Sequence, residues 1–289
     1  MKNRKIILRR KSQPVMEGAG VRLHRAFGYH DVPDFDPFLM LDDFRSDKPD
    51  DYRKGFPWHP HRGIETITYI LKGEVEHQDS MGNKGVIATG DVQWMTAGSG
   101  IIHQEMPQVS GDGTLLGFQL WANLPASHKM MRPRYQEVKS SEIPEIVTDT
   151  NCRVRVVCGS FNGTSGPVRD IITNPVLMDI NVPAHTEFVM PTPEEHNVFL
   201  YVFEGGGFFC EKETEEKNSK DFYADNRSLL LFEKGSSLAL YTENEPLRFL
   251  LMTGRPIGEP VAWGGPIVMN TDAELEIAFE EYENGTFIR

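Results

Sequence analysis

Two short stretches of the sequence decide the fold: GFPWHPHRGIE at residues 55–65 and GSGIIHQE at residues 98–105. In a β-strand, residues two apart point to the same face and are separated by about 6.6 Å of rise. His59 and His61 therefore project together, and so do His103 and Glu105. On neighbouring strands, two such pairs converge on one point. Three imidazoles and one carboxylate form a mixed nitrogen and oxygen site of borderline softness, so the pattern predicts a metal site.

Short strands separated by turn residues surround both stretches. In the first half, strands are predicted at 65–71, 75–78, 86–88, 92–95 and 116–122. In the second half, they are predicted at 176–182, 198–203, 208–210, 228–232, 237–241 and 247–252. This spacing favours antiparallel sandwiches or barrels over βαβ units. Because the two halves share one rhythm, the sequence predicts a duplicated barrel.

We therefore predict an all-β chain of two tandem antiparallel β-barrel domains. The first domain covers residues 1–125, a proline-containing connection covers 126–150, and the second domain covers 151–289. The polar segment 213–221 is typical of a solvated hairpin tip.

One helix is predicted, at the end of the chain, where it would pack on the N-terminal half and cover a barrel edge. Thr271 and Glu274 form a capping box, and Asn284-Gly285 supplies the stop. An apolar stripe is predicted along this helix, formed by Leu275, Ala278, Phe279 and Tyr282.

The composition limits the partners and the compartment. The chain has 289 residues, a net charge of −12 and three cysteines without a CxxC spacing. An acidic chain repels phosphate backbones, so direct binding to nucleic acid is disfavoured, whereas protein partners are not. No apolar run is long enough to span a membrane. Since the cysteines form no disulfide framework, we expect a cytoplasmic protein, or a nuclear one in a eukaryote.

These motifs resemble the pirin family, whose members are double cupins. The resemblance covers essentially the whole chain. It is carried by His24-Arg25 and by DPFL at 36–39, DDF at 42–44, HPHRG at 59–63, DVQWMTAG at 91–98, GIIHQEMP at 100–107, QLWAN at 119–123, YQE at 135–137 and GPIVMNT at 265–271.

The resemblance implies a single metal in the first cupin, held by His59, His61, His103 and Glu105. Fe(II) is the expected ion, with Ni, Mn or Cu as alternatives. The general cupin pattern would instead make Glu65 the carboxylate ligand, and strand parity lets Glu65 face the same interior. Glu105 is favoured because the His-x-Glu pair delivers both ligands from one strand.

By the same resemblance, the expected activity is that of a flavonol (quercetin) 2,3-dioxygenase. Such an enzyme cleaves the C2–C3 bond with O2 and releases CO, and Glu105 would accept the proton of the 3-hydroxyl. An alternative is an iron-dependent, redox-sensing regulator that acts through a transcription factor or a metabolic enzyme, by way of the surface around Arg62 and the 45–57 loop. A third possibility is a cupin without a function at its metal.

Residues near the site have weaker signals. His77 and Asp79 would line a pocket or lie on an exposed hairpin. An apolar wall is the prediction for Phe56, Trp58 and Trp94. Arg62 would hold a carboxylate beside the site or lie on its rim.

The second domain offers only scattered candidates for metal ligands, which are His185, Glu187 and His196. No second pair follows the His-x-Glu of this domain. We therefore predict that it is structural and holds no metal.

Overall fold

The computed structural model describes residues 2–109, 111–212 and 221–289, in two compact units. The N-terminal unit comprises Gln13–Ser140 and Ile257–Arg289, and the C-terminal unit comprises Met1–Ser12 and Ser141–Pro256. The prediction of an all-β chain with two antiparallel domains is confirmed, although the described strands form open sheets rather than closed barrels. Most of the predicted hairpin tip, from 213 to 220, lies outside the described residues.

The strands follow one another closely along the chain. The first twelve are β1 (Ile6–Lys11), β2 (Gln13–Glu17), β3 (Val21–Phe27), β4 (Phe38–Asp43), β5 (Phe56–His61), β6 (Ile64–Lys72), β7 (Glu74–Asp79), β8 (Lys84–Ile87), β9 (Val92–Thr96), β10 (Ile101–Gln108), β11 (Leu116–Asn123) and β12 (Arg134–Val138). The others are β13 (Glu145–Val147), β14 (Arg153–Cys158), β15 (Ser160–Phe161), β16 (Thr164–Ser165), β17 (Val176–Val182), β18 (Glu187–Pro191), β19 (Asn197–Phe208), β20 (Tyr223–Asp225), β21 (Ser228–Phe232), β22 (Ser237–Tyr241), β23 (Leu247–Gly254), β24 (Ala262–Gly264) and β25 (Ile267–Met269). The helices are α1 (Pro49–Tyr52) and α2 (Asp272–Glu283), with 3-10 turns at Tyr29–Asp31 and Ser140–Glu142.

Two facing sheets build the N-terminal unit. The smaller has the strand order β5-β10-β7-β8, and the larger has the order β12-β9-β6-β11-β4-β3-β2. The β24-β25 hairpin and α2 complete this unit. The stretch around His59 lies on β5 and the stretch around His103 on β10, so both lie on the smaller sheet as neighbours.

The two ends of the chain correct the domain boundaries of 1–125 and 151–289. Strand β1 pairs with β21, Leu8 lying opposite Leu231, so the first twelve residues belong to the C-terminal unit. Residues 257–289 belong to the N-terminal unit, where the Val268 N–H donates to Arg62 O at 3.0 Å. An alternating strand such as β1 needs a partner, but nothing in its own sequence names which sheet provides it.

Helix α2 begins and ends as predicted. Thr271 accepts from the Glu274 N–H at 3.2 Å, and Gly285 adopts φ +73° after the last turn. The predicted apolar stripe is confirmed in part, because Ala278 is fully buried and Leu275 packs against the same cluster. Phe279 and Tyr282 are exposed. The helix therefore contacts β24 and β25 through a narrow strip.

The C-terminal unit encloses a continuous apolar core. Its strands β14, β17, β19, β21, β22 and β23 contribute alternate side chains to one cluster of buried aliphatic and aromatic residues. Phe209, Leu200 and Phe249 lie at its centre and are at most 1% exposed. Burial of this surface supplies the main stabilisation of the unit.

Candidate metal centre

Three histidines converge between the sheets of the N-terminal unit. His59 and His61 lie on β5, and His103 lies on β10 directly opposite His59. The Nε2 atom of His59 is 3.1 Å from that of His61 and 2.9 Å from that of His103. Within the described part of the chain, these three residues form the group of metal-ligand atoms that lie within 4.8 Å of one another. The structure thus brings together three of the four predicted ligands.

Backbone carbonyls fix how two of these rings are protonated. His59 Nδ1 is 2.8 Å from Pro57 O, and His61 Nδ1 is 3.0 Å from Pro266 O. A carbonyl oxygen only accepts, so each Nδ1 carries the proton and each Nε2 presents a lone pair. Two lone pairs that face each other at 3.1 Å form no hydrogen bond. The arrangement is satisfied by a cation between them.

A metal ion suits this position better than a proton. Burial, followed by the neighbouring imidazoles, lowers the pKa of His61 and of His103 well below the ordinary value of 6.5. The rings therefore stay neutral near pH 7, which is the form that binds metals. Nitrogen ligands that bind one ion at about 2.1 Å lie about 3.0–3.4 Å apart. The separations of 2.9 and 3.1 Å from His59 Nε2 are close to this range.

Glu105 lies on the same strand as His103 and borders the same cavity as His59 and His61. Its side chain is buried, and its Oε1 accepts a hydrogen bond from the Thr68 hydroxyl at 2.8 Å. A register shift between His103 and Glu105 interrupts the pairing of β10 with β5 at this point. The carboxylate lies beside the three imidazoles but outside the group of atoms within 4.8 Å.

Glu65 lies on the other face of the larger sheet. It is paired with Thr96, whose hydroxyl donates to Glu65 Oε1 at 2.6 Å, and burial raises the pKa of Glu65. The parity argument for Glu65 is wrong because Gly63, at φ +77°, separates β5 from β6, and these strands belong to different sheets. Side-chain alternation does not continue across such a break.

His77 and Asp79 point toward the interior, not into solvent. In the pairing of β7 with β10, His77 lies opposite Glu105 and Asp79 lies opposite His103. The His77 ring is 5.4 Å from that of His103 and stacks on Tyr135 at 5.1 Å. The exposed-hairpin interpretation is therefore wrong. These residues form a buried polar layer behind the histidine cluster, outside the lining of the cavity.

A cavity of about 760 Å³ opens in front of the cluster. Its floor is apolar and includes Val21, Phe44 and Leu115. Phe56 and Trp58 line it as predicted, whereas Trp94 does not, because Trp94 lies opposite Ile67 on the far face of the larger sheet.

A row of aromatic rings leads from the cluster to the cavity mouth. The His61 ring is 5.0 Å from Trp121, which is 5.9 Å from Trp263, which is 5.6 Å from the exposed Tyr29. Sequence reasoning missed Trp263, which reaches the site from a segment more than a hundred residues away along the chain.

Arg25 is a positively charged residue of the cavity lining, and neighbouring carboxylates neutralise its charge. It donates to both carboxylate oxygens of Asp42 at 2.8 Å and lies 2.9 Å from Glu17. The resemblance motifs contained Arg25 and Asp42, but nothing in their spacing indicated that they meet. Carboxylates thus outnumber cations along the cavity wall.

Arg62 holds a carboxylate, as predicted, but in a different place. It is 1% exposed and donates to Ser99 O, to Glu281 Oε2 and to Phe287 O at 2.7, 2.7 and 2.9 Å. The rim interpretation is therefore wrong. Arg62 fastens the end of the chain to the loop that follows His61.

Lys129 fixes the other side of that loop. It is buried and donates to the carbonyl oxygen of Gly63, to that of Val268 and to the Asn123 side chain. The position of His61 is thus determined by a buried network.

Comparison with known proteins identifies the family. The family profile for pirin matches residues 20–122, and that for the pirin C-terminal cupin domain matches residues 177–288. A pirin-like protein of Caulobacter vibrioides is 42% identical over 96% of both chains. The chain belongs to the pirin family.

Two other similar proteins carry names that state an activity. A Pseudomonas aeruginosa protein that carries the provisional name quercetin 2,3-dioxygenase is 42% identical over 94% of each chain. The crystal structure of quercetin 2,3-dioxygenase from Acinetobacter baumannii aligns with a TM-score of 0.87 at 30% identity, over 99% of this chain and 98% of that one.

The second cupin of this pirin brings no candidate ligands together. His196 is buried and its Nδ1 lies 2.9 Å from the Thr253 hydroxyl, while Glu187 forms an exposed ion pair with Lys212. His185 occupies a turn position with φ +57°. None of the three belongs to a ligand cluster among the described residues.

Within those residues, no helix has both the length and the apolar character needed to cross a membrane.

Proposed function

We propose that this pirin is a metal-dependent flavonol 2,3-dioxygenase whose ion is held by His59, His61, His103 and Glu105. The observation that carries the proposal is the pair of facing lone pairs on His59 and His61 at the inner end of an aromatic-lined cavity. The similarity to proteins named quercetin 2,3-dioxygenase supports it.

The donor set favours a redox-active ion. Imidazole and carboxylate ligands suit Fe(II), which is our first choice, with Ni, Mn or Cu as alternatives. Zinc prefers tetrahedral sites and has no redox chemistry, so it fits less well. A bound ion of this class would supply the chelation of a 3-hydroxy-4-oxo group and the reaction with O2.

The residues of the chain would bind, orient and deprotonate the substrate. Trp121 and Trp263 offer flat faces to the fused rings, and the apolar floor keeps water away from them. Glu105 would take the proton of the 3-hydroxyl, since an ionised flavonol chelates more strongly than a neutral one. Cleavage of both C2–C3 and C3–C4 would then release C3 with its own oxygen as CO, and the two oxygen atoms of O2 would end on C2 and C4 of the depside.

The cavity wall also favours a neutral, hydroxyl-bearing aromatic ligand. Glu17 and Asp42 already surround Arg25, so a ligand carboxylate or phosphate would meet more negative than positive charge. Phenolic hydroxyls can instead donate to these acceptors. We propose that the protein acts in the cytoplasm, without a nucleic-acid partner, in keeping with its acidity and cysteine content.

Aerobic turnover of quercetin tests this function. Iron-loaded protein should bleach the near-visible band of quercetin and release CO, and His59→Ala and Glu105→Ala should abolish both. His185→Asn in the C-terminal unit is the matched control, because it removes a histidine far from any cluster and keeps a residue that tolerates positive φ. This variant should retain full activity.

Two results would contradict the proposal in different ways. If the protein retains iron but leaves quercetin unchanged, the proposed dioxygenase activity is contradicted. That result would favour the regulator, which predicts capture of a protein partner that depends on the oxidation state of iron. Purified protein without any transition metal would contradict both functions.

A further inference from the structure

Glu105 is held by a chain of hydrogen bonds that starts on the opposite sheet. The Thr68 hydroxyl oxygen is 2.8 Å from Glu105 Oε1 and 2.7 Å from Gln119 Oε1. Thr68 on β6 and Gln119 on β11 are direct cross-strand partners, so both side chains point to the face that looks toward Glu105. These hydrogen bonds link Glu105 to the larger sheet.

The number of protons available shows which group donates in each of these hydrogen bonds. A threonine hydroxyl has one proton to donate and two lone pairs to accept with. A carboxylate that binds a cation only accepts, so the Thr68 proton belongs to Glu105. Gln119 must then donate through its amide nitrogen, with its carbonyl oxygen turned away from Thr68. The order is Gln119 N–H to Thr68, and Thr68 O–H to Glu105.

We propose that Thr68, supported by Gln119, is a positioning residue that holds the Glu105 carboxylate in the orientation that binds metal. This inference rests on the proposed role of Glu105 as a ligand. A free glutamate side chain loses rotamer entropy when it is fixed. A hydrogen bond to Oε1 fixes it in advance and leaves Oε2 available to an ion. Partners of this kind typically change metal affinity by about 10- to 100-fold when they are removed.

Thr66 provides a matched control. It lies two residues from Thr68 on the same strand and the same face, and it is 1% exposed. Its hydroxyl has no hydrogen-bond partner among the described residues. Replacement by valine therefore removes an equal hydroxyl from an equally buried position without breaking a hydrogen bond. Any general effect of the Thr→Val change on the sheet should appear in both variants.

The test measures Ni(II) binding to metal-free protein by calorimetry, together with the visible spectrum of the Co(II)-loaded protein. Thr68→Val should weaken Ni(II) binding by about tenfold or more and shift the Co(II) bands. Thr66→Val should match the wild type, and Thr68→Ser should restore both readouts. Gln119→Met, which keeps the shape of the side chain, should give an intermediate loss and serves if Thr68→Val does not fold.

The outcomes separate this inference from the proposed function. If Thr68→Val binds Ni(II) as tightly as Thr66→Val, with an unchanged Co(II) spectrum, the positioning role is overturned. If Thr68→Val binds Ni(II) more weakly although the wild type does not turn over quercetin, the positioning role is supported and the proposed dioxygenase activity is contradicted. If Glu105→Gln binds Ni(II) like the wild type, Glu105 is not a ligand, and the inference is overturned with that assignment.

Discussion

The two units of this pirin share antiparallel architecture but fill their interiors differently. The N-terminal unit buries His61, His103 and Glu105 between its sheets, beside an open cavity. The C-terminal unit fills the equivalent space with aliphatic and aromatic side chains such as Phe209 and Phe249. Buried polar groups cost free energy unless they are satisfied, whereas buried apolar surface contributes about 25 cal/mol per Å². The N-terminal unit therefore has less apolar packing because it holds a site, whereas the C-terminal unit keeps a fully packed interior.

Stability thus depends mainly on the interior of the C-terminal unit, and ligand binding depends on that of the N-terminal unit. A metal that binds only the folded state adds stability that grows with the logarithm of its concentration divided by its dissociation constant. The N-terminal unit should therefore respond to metal, and the C-terminal unit should respond to packing.

The largest effect is expected in the apolar interior. Phe249→Ala should destabilise the protein by about 3–5 kcal/mol, because it removes a fully buried ring and leaves a cavity. Urea unfolding would measure this loss, and metal analysis of the folded fraction should still find one ion per chain. Loss of the ion from folded Phe249→Ala protein would contradict the separation of the two roles.

The next largest effect is expected at the histidine cluster. His103→Ala should lower Ni(II) affinity by more than about 100-fold, since loss of a ligand exceeds the usual effect of losing an outer partner. Calorimetric titration measures the affinity, and His185→Asn is the control for a histidine of the other unit. Equal affinities in the two variants would place the ion elsewhere.

Acid should lower the stability of the metal-free N-terminal unit. Burial keeps His61 and His103 neutral in the folded state, while the unfolded chain protonates its histidines below about pH 6.5. The unfolded state then binds more protons, so stability falls as the pH drops below that value, by on the order of 1 kcal/mol per pH unit for each histidine.

Urea unfolding between pH 7.5 and 5 would measure this slope (both pH values are about one unit or more from the ordinary histidine pKa). The double variant His61→Asn/His103→Asn should show a flatter slope. His196 in the C-terminal unit also has a lowered pKa through burial, and it contributes equally to both proteins. Identical slopes would show that the buried imidazoles do not govern the acid response.

The smallest effect distinguishes the two buried glutamates. Glu105→Gln should weaken Ni(II) binding by at least the roughly tenfold loss expected of Thr68→Val, because a neutral amide is a poorer ligand than a carboxylate. Glu65→Gln should leave the affinity unchanged, since Glu65 faces Thr96 on the far side of the sheet. Calorimetric titration of both variants with Ni(II) tests this. A larger loss of affinity in Glu65→Gln than in Glu105→Gln would favour the general cupin pattern.

The strands and the histidine cluster were predictable because their signals are local. Alternation predicted strands such as β9 and β11 to within a residue or two, and the His-x-His spacing predicted that His59 and His61 project together. The capping box of α2 was predictable for the same reason, since Thr271 and Glu274 are three residues apart.

Features that depend on distant pairing were not predictable. Strand β1 joins the C-terminal unit, and Trp263 enters the cavity of the N-terminal unit, through contacts between segments far apart in sequence. Parity alone let Glu65 face the interior with His59 and His61, but Gly63 separates β5 from β6 and ends that alternation. The Thr68–Gln119 link needed the register of β6 against β11, which neither strand specifies by itself.

The most direct test of the account is a crystal structure of iron-loaded protein with data collected at the iron absorption edge. We predict one anomalous peak per chain, between the two sheets of the N-terminal unit. It should lie about 2.0–2.2 Å from Nε2 of each of the three histidines and from a carboxylate oxygen of Glu105. A peak bound through Glu65, or one within the C-terminal unit, would contradict the account.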